Sequence, residues 1–278
     1  MMRFCFRDRH LDFKGDTMIV GILNVTPDSF SDGGDCQDVA EAVAKAERLL
    51  EDGAAMIDVG GESTRPGHEP VGTEEELARV VPVIRGIRSK LGGHPVISVD
   101  TTKPAVADAA LEEGADIIND VSALEVGGLE MCHVLKKYGA GCILMHPKAV
   151  PEGGDPMEAI ASYLQERLEY AEHNTGLDRD YFAIDTGIGF GKELSQNLRS
   201  CVDYSRLRGI GRPIMIGISR KSCLGIVTGR SVDCREYATV ATSAIAAYLG
   251  ADMLRVHNVM ANRDAVTVAH ALRNAAME

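Results

Sequence analysis

One short pattern, which runs from the end of a helix into a strand, decides the fold of this chain. Residues 53–58 read Gly-Ala-Ala-Met-Ile-Asp, and residues 114–119 repeat the pattern as Gly-Ala-Asp-Ile-Ile-Asn. Related copies occupy residues 139–144 and 250–255. Glycine commonly ends a helix in a left-handed conformation, and the apolar residues after it predict a buried strand. The pattern therefore indicates repeated helix–strand units.

Short apolar runs continue this alternation along the whole chain of 278 residues. Each run is too short for a buried helix and is rich in isoleucine and valine, so each predicts a strand buried on both faces. Residues 39–50 and 159–173 are amphipathic and predict helices between the strands. Repeated units of this kind indicate a parallel α/β fold, and eight of them indicate a closed (β/α)8 TIM barrel. The eight runs are Met18–Val25, Ala54–Val59, Pro95–Val99, Asp116–Val121, Ala140–Met145, Tyr181–Ile184, Pro213–Ile218 and Asp252–Val256.

Local signals complete the predicted organisation. Residues 1–15 alternate apolar and polar side chains, which predicts a short N-terminal β-hairpin that closes the N-terminal end of the barrel. Residues 16–278 are then expected to form a single barrel domain. Two helix starts are also marked, because Thr73 and Glu76 form a capping-box pattern and Asp155 stands before a proline at a first helical position.

Charge and composition argue against several classes of protein. The net charge of −12 disfavours binding to nucleic acid, which needs basic surfaces. No apolar run approaches the roughly 18 residues that a membrane span needs. The seven cysteines are scattered without a CxxC pair, which is typical of free thiols in a reducing compartment. With no secretory signal in the sequence, we expect a cytoplasmic protein.

Nearly every predicted strand ends in a polar or charged residue. In (β/α)8 barrels, the carboxyl ends of the strands and the loops after them build the active site. A polar group at the end of a buried strand is costly unless something binds it, so the set predicts a ligand site at this end. Its members are Asn24, Asp58, Asp100, Asn119, His146, Asp185, Ser219–Lys221, Arg255 and His257.

These strand-end residues divide into hydrogen-bond acceptors and cations. Asp100, Asn119 and Asp185 offer carboxylates and an amide, which suit the N–H edge of an aminopyrimidinone ring. The cations suit a diphosphate, whose oxygens arginine can contact in a forked geometry. The sequence thus predicts a site for a ring with an amidine edge and an anionic tail. The cations are Arg65, Lys221, Arg255 and His257.

Two loops and a glycine-rich turn are expected at the same end of the barrel. Residues 26–35 and 61–72 are long and rich in turn residues, which is typical of functional lids. Residues 187–192 read Gly-Ile-Gly-Phe-Gly-Lys, but the spacing is not that of a P-loop, and Glu193 replaces its Ser or Thr. We interpret them as a tight turn that lets a ligand approach Asp185.

Seven motifs occur in this chain in the order that a known family has them. Residues 21–34 read Gly-Ile-Leu-Asn-Val-Thr-Pro-Asp-Ser-Phe-Ser-Asp-Gly-Gly, and residues 58–67 read Asp-Val-Gly-Gly-Glu-Ser-Thr-Arg-Pro-Gly. Both resemble signatures of the dihydropteroate synthases. The resemblance covers essentially the whole chain from residue 12. Shorter matches lie at 98–101, 117–120, 187–192, 219–222 and 255–257.

The resemblance implies an enzyme, a transferase of folate biosynthesis. Such an enzyme condenses 6-hydroxymethyl-7,8-dihydropterin diphosphate with 4-aminobenzoate to give 7,8-dihydropteroate, with Mg²⁺ and cationic side chains assisting the departure of diphosphate. The aniline nitrogen has a free lone pair, so no strong general base is needed.

The resemblance also implies a role for each matching residue. Catalytic roles fall to Asn24, Arg65, Lys221, Arg255 and His257, and Asn24 is the residue that contacts the metal. The pterin is held by Asp100, Asn119, Met145, Asp185, Lys221 and Arg255. The diphosphate is held by Asn24, Thr64, Arg65, Arg255 and His257, and 4-aminobenzoate is framed by Phe30, Pro66, Phe190 and Ser222.

Three departures from the family pattern leave an alternative open. Thr186 stands where the family has proline, and Asn258 replaces the aspartate after Arg-Val-His. Pro147 and Lys148 follow His146 in place of Met-Gln-Gly. These changes are compatible with a catalytically weak or silent paralogue that acts as a pterin-binding or regulatory partner.

Other enzyme classes that use such a barrel fit the sequence less well. A methyltransferase that binds methyltetrahydrofolate gives no reason for the cations at the diphosphate positions. A Schiff-base aldolase would need Lys221 inside a strand, whereas it follows a strand exit. A metallohydrolase built on Asp58, Asp100, His146 or His257 would lack the paired histidines expected at the first strand.

The last predicted helix before the final strand indicates self-association. Residues 237–249 contain no charged side chain, whereas an outer helix of a barrel normally keeps a polar face. We therefore predict a homodimer that involves this helix, and the resemblance also implies a dimer.

Overall fold

A hairpin and a closed barrel make up the sheet structure of the computed structural model, which describes residues 2–25, 35–62 and 71–276. The hairpin consists of the antiparallel strands β1 (Met2–Phe6) and β2 (Arg9–Phe13). The eight parallel barrel strands pair in chain order, and the last pairs with the first. This confirms the predicted (β/α)8 barrel. The strands are β3 (Met18–Asn24), β4 (Met56–Gly60), β5 (Val96–Asp100), β6 (Ile117–Asp120), β7 (Gly141–Met145), β8 (Phe182–Asp185), β9 (Ile214–Ile216) and β10 (Met253–Val256).

Helices follow the barrel strands and form the outer layer. Residues 39–50 and 159–173, which were predicted as helices, lie within the first and fifth of them. The helices are α1 (Asp35–Glu51), α2 (Thr73–Leu91), α3 (Pro104–Glu112), α4 (Gly128–Tyr138), α5 (Pro156–Thr175), α6 (Leu194–Val202), α7 (Ser222–Thr228), α8 (Glu236–Tyr248) and α9 (Val259–Ala275).

Glycines at the helix-to-strand junctions have the left-handed conformation that the repeated pattern predicts. Their φ angles are 104° at Gly53, 103° at Gly114, 58° at Gly139 and 92° at Gly250. Because side chains with a Cβ rarely adopt such angles, these positions explain why the repeat begins with glycine.

The two predicted helix starts have different outcomes. Asp155 caps α5 and accepts a hydrogen bond from the backbone N–H of Met157 at 2.9 Å, which confirms that prediction. The capping box at Thr73 is wrong, because Gly72 occupies the cap position and no side-chain cap forms. The carboxylate of Glu76 is instead buried and accepts a hydrogen bond from Lys103.

The hairpin covers the N-terminal end of the barrel. Phe4, Phe6 and Phe13 are buried against an apolar cluster to which all eight barrel strands contribute side chains. Removing a phenylalanine side chain from water contributes about 2–3 kcal/mol, so these three residues fix the hairpin firmly. The predicted hairpin is confirmed, while the domain boundary after residue 15 stays a prediction. The barrel residues in this cluster are Val20, Met56, Val96, Ile117, Ile143, Ala183, Met215 and Met253.

Buried carboxylates at this end of the barrel have partners within the protein. Asp116, just before β6, accepts hydrogen bonds from Arg88 Nη2 at 2.7 Å and from the backbone N–H of Ile97 at 3.0 Å. Asp252, just before β10, accepts from Arg208 Nη1 at 2.6 Å and from the backbone N–H of Ile214 at 2.8 Å. Both carboxylates therefore tie neighbouring elements together.

Candidate active site

Asp58 joins four strands at the opposite, carboxyl-terminal end of the barrel. It lies in β4 and is only 1% exposed. Its Oδ1 accepts a hydrogen bond from Ser98 Oγ at 2.5 Å, and its Oδ2 accepts from Asn119 Nδ2 at 3.0 Å and from Arg255 Nε at 2.6 Å. Asp58 thus connects β4 with β5, β6 and β10.

Asp100, the last residue of β5, has one oxygen bound and one without a partner. Its Oδ2 accepts a hydrogen bond from Arg255 Nη2 at 2.8 Å. Its Oδ1 is buried and has no hydrogen-bond partner in the parts of the chain that the structure describes. Burial raises the pKa of Asp100 to about 7, although the nearby Arg255 guanidinium acts to lower it. A buried acceptor of this kind requires a donor from a ligand or water.

Arg255 in β10 is held by the two carboxylates. Burial alone would lower the pKa of its guanidinium, but Asp58 and Asp100 raise it above its ordinary value. The side chain therefore stays charged, with its Nε and Nη2 groups directed to carboxylates and its Nη1 group available for other contacts.

Asp185 and Lys221 form the second charged part of the site. Asp185 ends β8, and its Oδ1 accepts a hydrogen bond from the backbone N–H of Gly187 at 2.7 Å. Burial raises the pKa of Asp185, and the charge of Lys221 opposes this shift. Burial lowers the pKa of Lys221 to about 8, while Asp185 acts to raise it. The Lys221 ammonium group also lies 4.4 Å from the ring centre of Phe190, within range of a cation–π contact.

The glycine-rich turn after β8 is fixed by an internal lysine. The Nζ of Lys192 donates hydrogen bonds to the carbonyl oxygens of Gly187 at 2.8 Å, Phe190 at 3.1 Å and His146 at 3.2 Å. A Cβ atom on Gly187 would lie 1.9 Å from the carbonyl oxygen of His146, so only glycine fits there. These contacts confirm a tight turn beside Asp185, and they show that Lys192 binds the protein backbone.

Two predicted site residues lie at the end of β7, where Met145 is the last strand residue and His146 follows it. Met145 is the last residue of β7 and is buried beside Asp185 in the strand register. His146 is buried, and its ring packs edge-on against Tyr163 with 5.0 Å between ring centres. Burial and the charge of Lys192 lower the pKa of His146 to about 3, so the ring is neutral at physiological pH. A neutral, buried histidine is a poor source of positive charge for a ligand.

Asn24 and His257 lie at the ends of adjacent strands β3 and β10. A Cβ atom on Gly60 would lie 3.8 Å from Asn24 Oδ1 and 3.6 Å from Asp100 Cβ, so these two side chains approach each other across a glycine. His257 Nδ1 lies 2.8 Å from Ser219 Oγ, and the His257 backbone N–H donates to the same hydroxyl at 3.2 Å. Ser219 therefore holds the His257 ring in place.

The remaining predicted residues fall into two groups. Phe190 is half-buried in the glycine turn, and Ser222 is exposed at the first position of α7. Four others lie outside the described residues, so their predicted roles stay predictions. These four are Phe30, Thr64, Arg65 and Pro66.

The three departures from the family pattern have distinct surroundings. Asn258 caps α9 and accepts a hydrogen bond from the Ala261 backbone N–H at 3.1 Å, a role that an aspartate also fills. Thr186 is fully buried, and its hydroxyl has no hydrogen-bond partner within the described ranges. Lys148 is exposed and pairs with Glu125. None of them removes a contact among Asp58, Asp100 and Arg255.

Sequence reasoning missed the contacts of three residues at this end. It placed Asp58, Ser219 and Lys192 at strand ends or in a turn but gave none of them a binding partner. The repeat itself held a signal for Asp58, because Asp58, Asn119 and Arg255 occupy the same position in three of its copies. Residues at equivalent positions of barrel strands point into the same layer, which is why these three meet.

The described residues contain neither a candidate metal cluster nor a membrane-spanning helix. Within residues 2–25, 35–62 and 71–276, no group of three or more His, Cys, Asp or Glu side chains could hold a metal ion. Over the same ranges, no helix is long and apolar enough to cross a membrane.

Comparison with known proteins identifies the class of protein to which this barrel, with polar residues at its carboxyl-terminal mouth, belongs. The family described as pterin binding enzyme matches residues 20–257. The chain therefore belongs to the pterin binding enzymes, as the sequence motifs predicted.

Similar proteins narrow this class to the dihydropteroate synthases. The dihydropteroate synthase of Clostridium beijerinckii is 42% identical over 247 residues, which cover 88% of this chain and 90% of that protein. The Xanthomonas albilineans dihydropteroate synthase, solved with 4-aminobenzoic acid, is 41% identical, covers 96% of this chain and 98% of its own, and superposes with a TM-score of 0.88. The Burkholderia cenocepacia enzyme, complexed with 7,8-dihydropteroate, is 34% identical, with coverages of 99% and 98% and a TM-score of 0.87.

Proposed function

We propose that this chain is a transferase that joins 6-hydroxymethyl-7,8-dihydropterin diphosphate to 4-aminobenzoate, giving 7,8-dihydropteroate and diphosphate in folate biosynthesis. Its relatives of similar length are dihydropteroate synthases, and two of them were solved with 4-aminobenzoic acid or 7,8-dihydropteroate. The observation that carries the proposal is the buried Oδ1 of Asp100, which has no partner among the described residues.

The pterin is the ligand that this set of acceptors suits. Asp100 Oδ1, and the Asp185 oxygen that does not bind Gly187, can accept N–H groups from a fused ring that carries an amidine edge. Asn119 adds an amide oxygen, because its Nδ2 already donates to Asp58. Lys221 can donate to the ring carbonyl from beside Asp185, and Met145 and Arg255 are the residues that we place against the ring faces.

We place the diphosphate group of the substrate beside the pterin, near the ends of β3 and β10. Arg255 offers its Nη1 group, since its Nε and Nη2 groups are bound to carboxylates. His257, held by Ser219, and Asn24 stand at the neighbouring strand ends. We place Thr64 and Arg65 there as well, as the resemblance implies. Charge on the leaving oxygens grows as the bond to the pterin methylene breaks, so cations stabilise the transition state more than the substrate.

Asn24 fits a role as the protein contact of a magnesium ion. Its amide oxygen is of the hard donor type that Mg²⁺ prefers, and it faces Asp100 across Gly60. Mg²⁺ commonly takes one or two protein ligands together with substrate phosphates and waters, so a single amide is sufficient. When bound, the ion supplies positive charge to the diphosphate. Asn24 would hold it beside Asp100, at the edge of the pterin site.

The second substrate attacks from the outer side of the mouth. Phe190 packs on Lys221 and offers an aromatic face, and Ser222 offers an exposed hydroxyl at the start of α7. With Phe30 and Pro66 they would frame 4-aminobenzoate, whose amine attacks the pterin methylene. No side chain is required to remove a proton before the attack, because the aniline lone pair is already free.

The test measures diphosphate released by the purified protein from the pterin diphosphate, Mg²⁺ and 4-aminobenzoate, with Asp185→Asn in parallel. We expect release that depends on 4-aminobenzoate and falls at least about 100-fold in the variant, since a preorganised acceptor is lost. Asp252→Asn changes a buried carboxylate at the other end of the barrel, so it is the matched control and should retain release. A folded protein that binds the pterin without release would support the silent, pterin-binding alternative.

A second copy of this chain is the partner that we propose for the outer face of α6 to α9. Tyr237 and Ile245 of α8 are 90% and 50% exposed, although both carry large hydrophobic side chains. Ile245 also lines a groove of about 360 Å³ with Leu198, Val202 and Leu224. Exposed apolar areas of this kind mark protein interfaces.

Light scattering at micromolar concentration tests this homodimer. The wild-type chain of 29.8 kDa should have twice that mass, and Ile245→Lys should shift it toward the single chain. Val126→Lys is the control, because Val126 is also exposed but lies in the loop after β6. A wild-type mass of one chain would remove the proposal.

We also propose a cytoplasmic location, since none of the six described cysteines is in a disulfide.

A further inference from the structure

We propose that Asp58 is a positioning residue for pterin recognition, which acts by orienting Asn119 and Arg255 and so leaves the site with free acceptors. The inference rests on the proposed function and goes beyond the residues assigned to substrate contact. Asp58 itself is 1% exposed and has both oxygens occupied by protein donors, so it offers nothing directly to a ligand.

Asp58 fixes the amide of Asn119 in one orientation. A carboxylate can only accept hydrogen bonds, so the Nδ2 group and not the Oδ1 of Asn119 must face it. The Nδ2–Oδ2 distance of 3.0 Å agrees with this requirement. The amide in the reverse orientation would bring its oxygen against a charged oxygen. Asn119, which is 3% exposed, therefore keeps its carbonyl oxygen for another donor.

Asp58 also prevents Arg255 from occupying both oxygens of Asp100. The guanidinium is planar and commonly pairs with one carboxylate through two parallel N–H groups. Here it is divided between Asp58, through Nε at 2.6 Å, and Asp100, through Nη2 at 2.8 Å. This division leaves Asp100 Oδ1 without a partner among the described residues. Without the Asp58 carboxylate, Arg255 could turn and take both oxygens of Asp100.

The hydrogen bond from Ser98 determines which substitution of Asp58 keeps the contacts with Asn119 and Arg255. Its hydroxyl donates to Asp58 Oδ1 at 2.5 Å, and a hydroxyl can also accept a hydrogen bond. In Asp58→Asn, the new amide can donate to Ser98 while its oxygen still accepts from Asn119 and Arg255. In Asp58→Ala, all three donors lose their acceptor. Asp58→Asn therefore keeps an acceptor oxygen at this position, whereas Asp58→Ala removes it, and the two variants together test whether that acceptor is needed.

The experiment measures the affinity of each variant for 6-hydroxymethylpterin by calorimetry, and the KM for both substrates. We expect Asp58→Ala to weaken pterin binding at least about tenfold, with the KM for 4-aminobenzoate changed less than about twofold. Asp58→Asn should stay within about threefold of the wild type. Asp252→Ala, which removes a buried carboxylate from the other end of the barrel, should lower the melting temperature and leave pterin affinity unchanged.

A double-mutant cycle with Asn119→Ala distinguishes positioning from a purely structural role. If Asp58 acts through Asn119 and Arg255, Asp58→Ala should cost much less in the Asn119→Ala background than in the wild type. Equal losses in both backgrounds, or unchanged affinity in Asp58→Ala, would overturn the inference. If Asp58→Ala does not fold, a tenfold loss in the folded Asp58→Asn variant would overturn it equally. A wild-type protein that neither binds the pterin nor releases diphosphate would instead remove the proposed function.

Discussion

At the N-terminal end of the barrel, Asp116 and Asp252 are buried carboxylates that hold neighbouring arginines and backbone N–H groups. At the carboxyl-terminal end, Asp100 is equally buried, yet its Oδ1 has no partner among the described residues. Burial of an unpaired acceptor costs stability, whereas a paired carboxylate can join elements together. One end of the barrel thus uses Asp116 and Asp252 for the fold, whereas Asp100 at the other end keeps one oxygen for a ligand.

Substitution of Lys221 should have the largest effect, and it should affect activity only. Lys221→Met removes the cation beside Asp185 and Phe190, so we expect kcat/KM for the pterin diphosphate to fall at least about 100-fold. The free energy of unfolding should not fall, because an ammonium group is costly to bury and the substitution removes that cost. Steady-state kinetics and thermal melting measure the two quantities, with the exposed Lys137→Met as the control. A parallel loss of melting temperature would contradict the comparison.

The pH dependence of pterin binding should be the next largest effect. Burial raises the pKa of Asp100 to about 7, so its carboxylate is lost as the pH falls through that value. Burial lowers the pKa of Lys221 to about 8, so its positive charge is lost as the pH rises through that value. We expect kcat/KM to peak between the two values and to fall on both sides. Lys221→Met should lose the alkaline decline, and a flat wild-type profile from about pH 6 to 9 would contradict the assignment.

Asp116 tests the opposite end, where the expected effect is on stability. Asp116→Asn weakens the contacts with Arg88, Arg7 and Arg9, so the free energy of unfolding should fall by about 2 kcal/mol. The kinetic constants should stay within about twofold, because the site lies at the other end of the barrel. Urea titration measures the loss. Asp108→Asn removes an exposed ion pair with Lys137 and should cost less than about 0.5 kcal/mol.

Thr186 should give the smallest effect. It is fully buried and its hydroxyl has no partner in the described part of the chain, so Thr186→Val should raise the free energy of unfolding by about 1 kcal/mol. Activity should change less than about threefold, since the adjacent Asp185 is oriented by the Gly187 N–H group. Thermal melting of Thr186→Val and of Thr186→Pro, the residue typical of the family, measures the gain. A large rise in activity with proline would show that this departure limits catalysis.

The strands and most of the mouth could be predicted from the sequence, because both follow from a local rule. A short apolar run after a glycine is a buried strand, and the residue at its end reaches the mouth of a barrel. The pairing of Asp58 with Arg255 could not be predicted, since 197 residues separate them and the contact depends on which strand closes the barrel. Motif spacing also gave no indication of what Lys192 binds. Lys192 resembles a phosphate-binding lysine in the sequence, but its ammonium group donates to three backbone carbonyls.

Local capping signals were the least reliable part of the sequence reading. Asp155 and Thr73 both match helix-start patterns, but only Asp155 caps its helix. Glu76 has a stronger partner in Lys103, and a tertiary ion pair of this kind overrides a local preference. The structure shows a capping box elsewhere, at Glu193 and Gln196.

The hairpin that covers the N-terminal end has a consequence for the order of folding. It precedes every barrel strand in the chain, yet its three phenylalanines pack on side chains from both β3 and β10. Its docking surface is therefore complete only when the last strand has closed the barrel. A growing chain must carry these aromatic side chains unburied through most of its synthesis, when they are available to chaperones or to misassembly. The hairpin, which is made before every barrel strand, is thus among the last parts of this fold to reach its place.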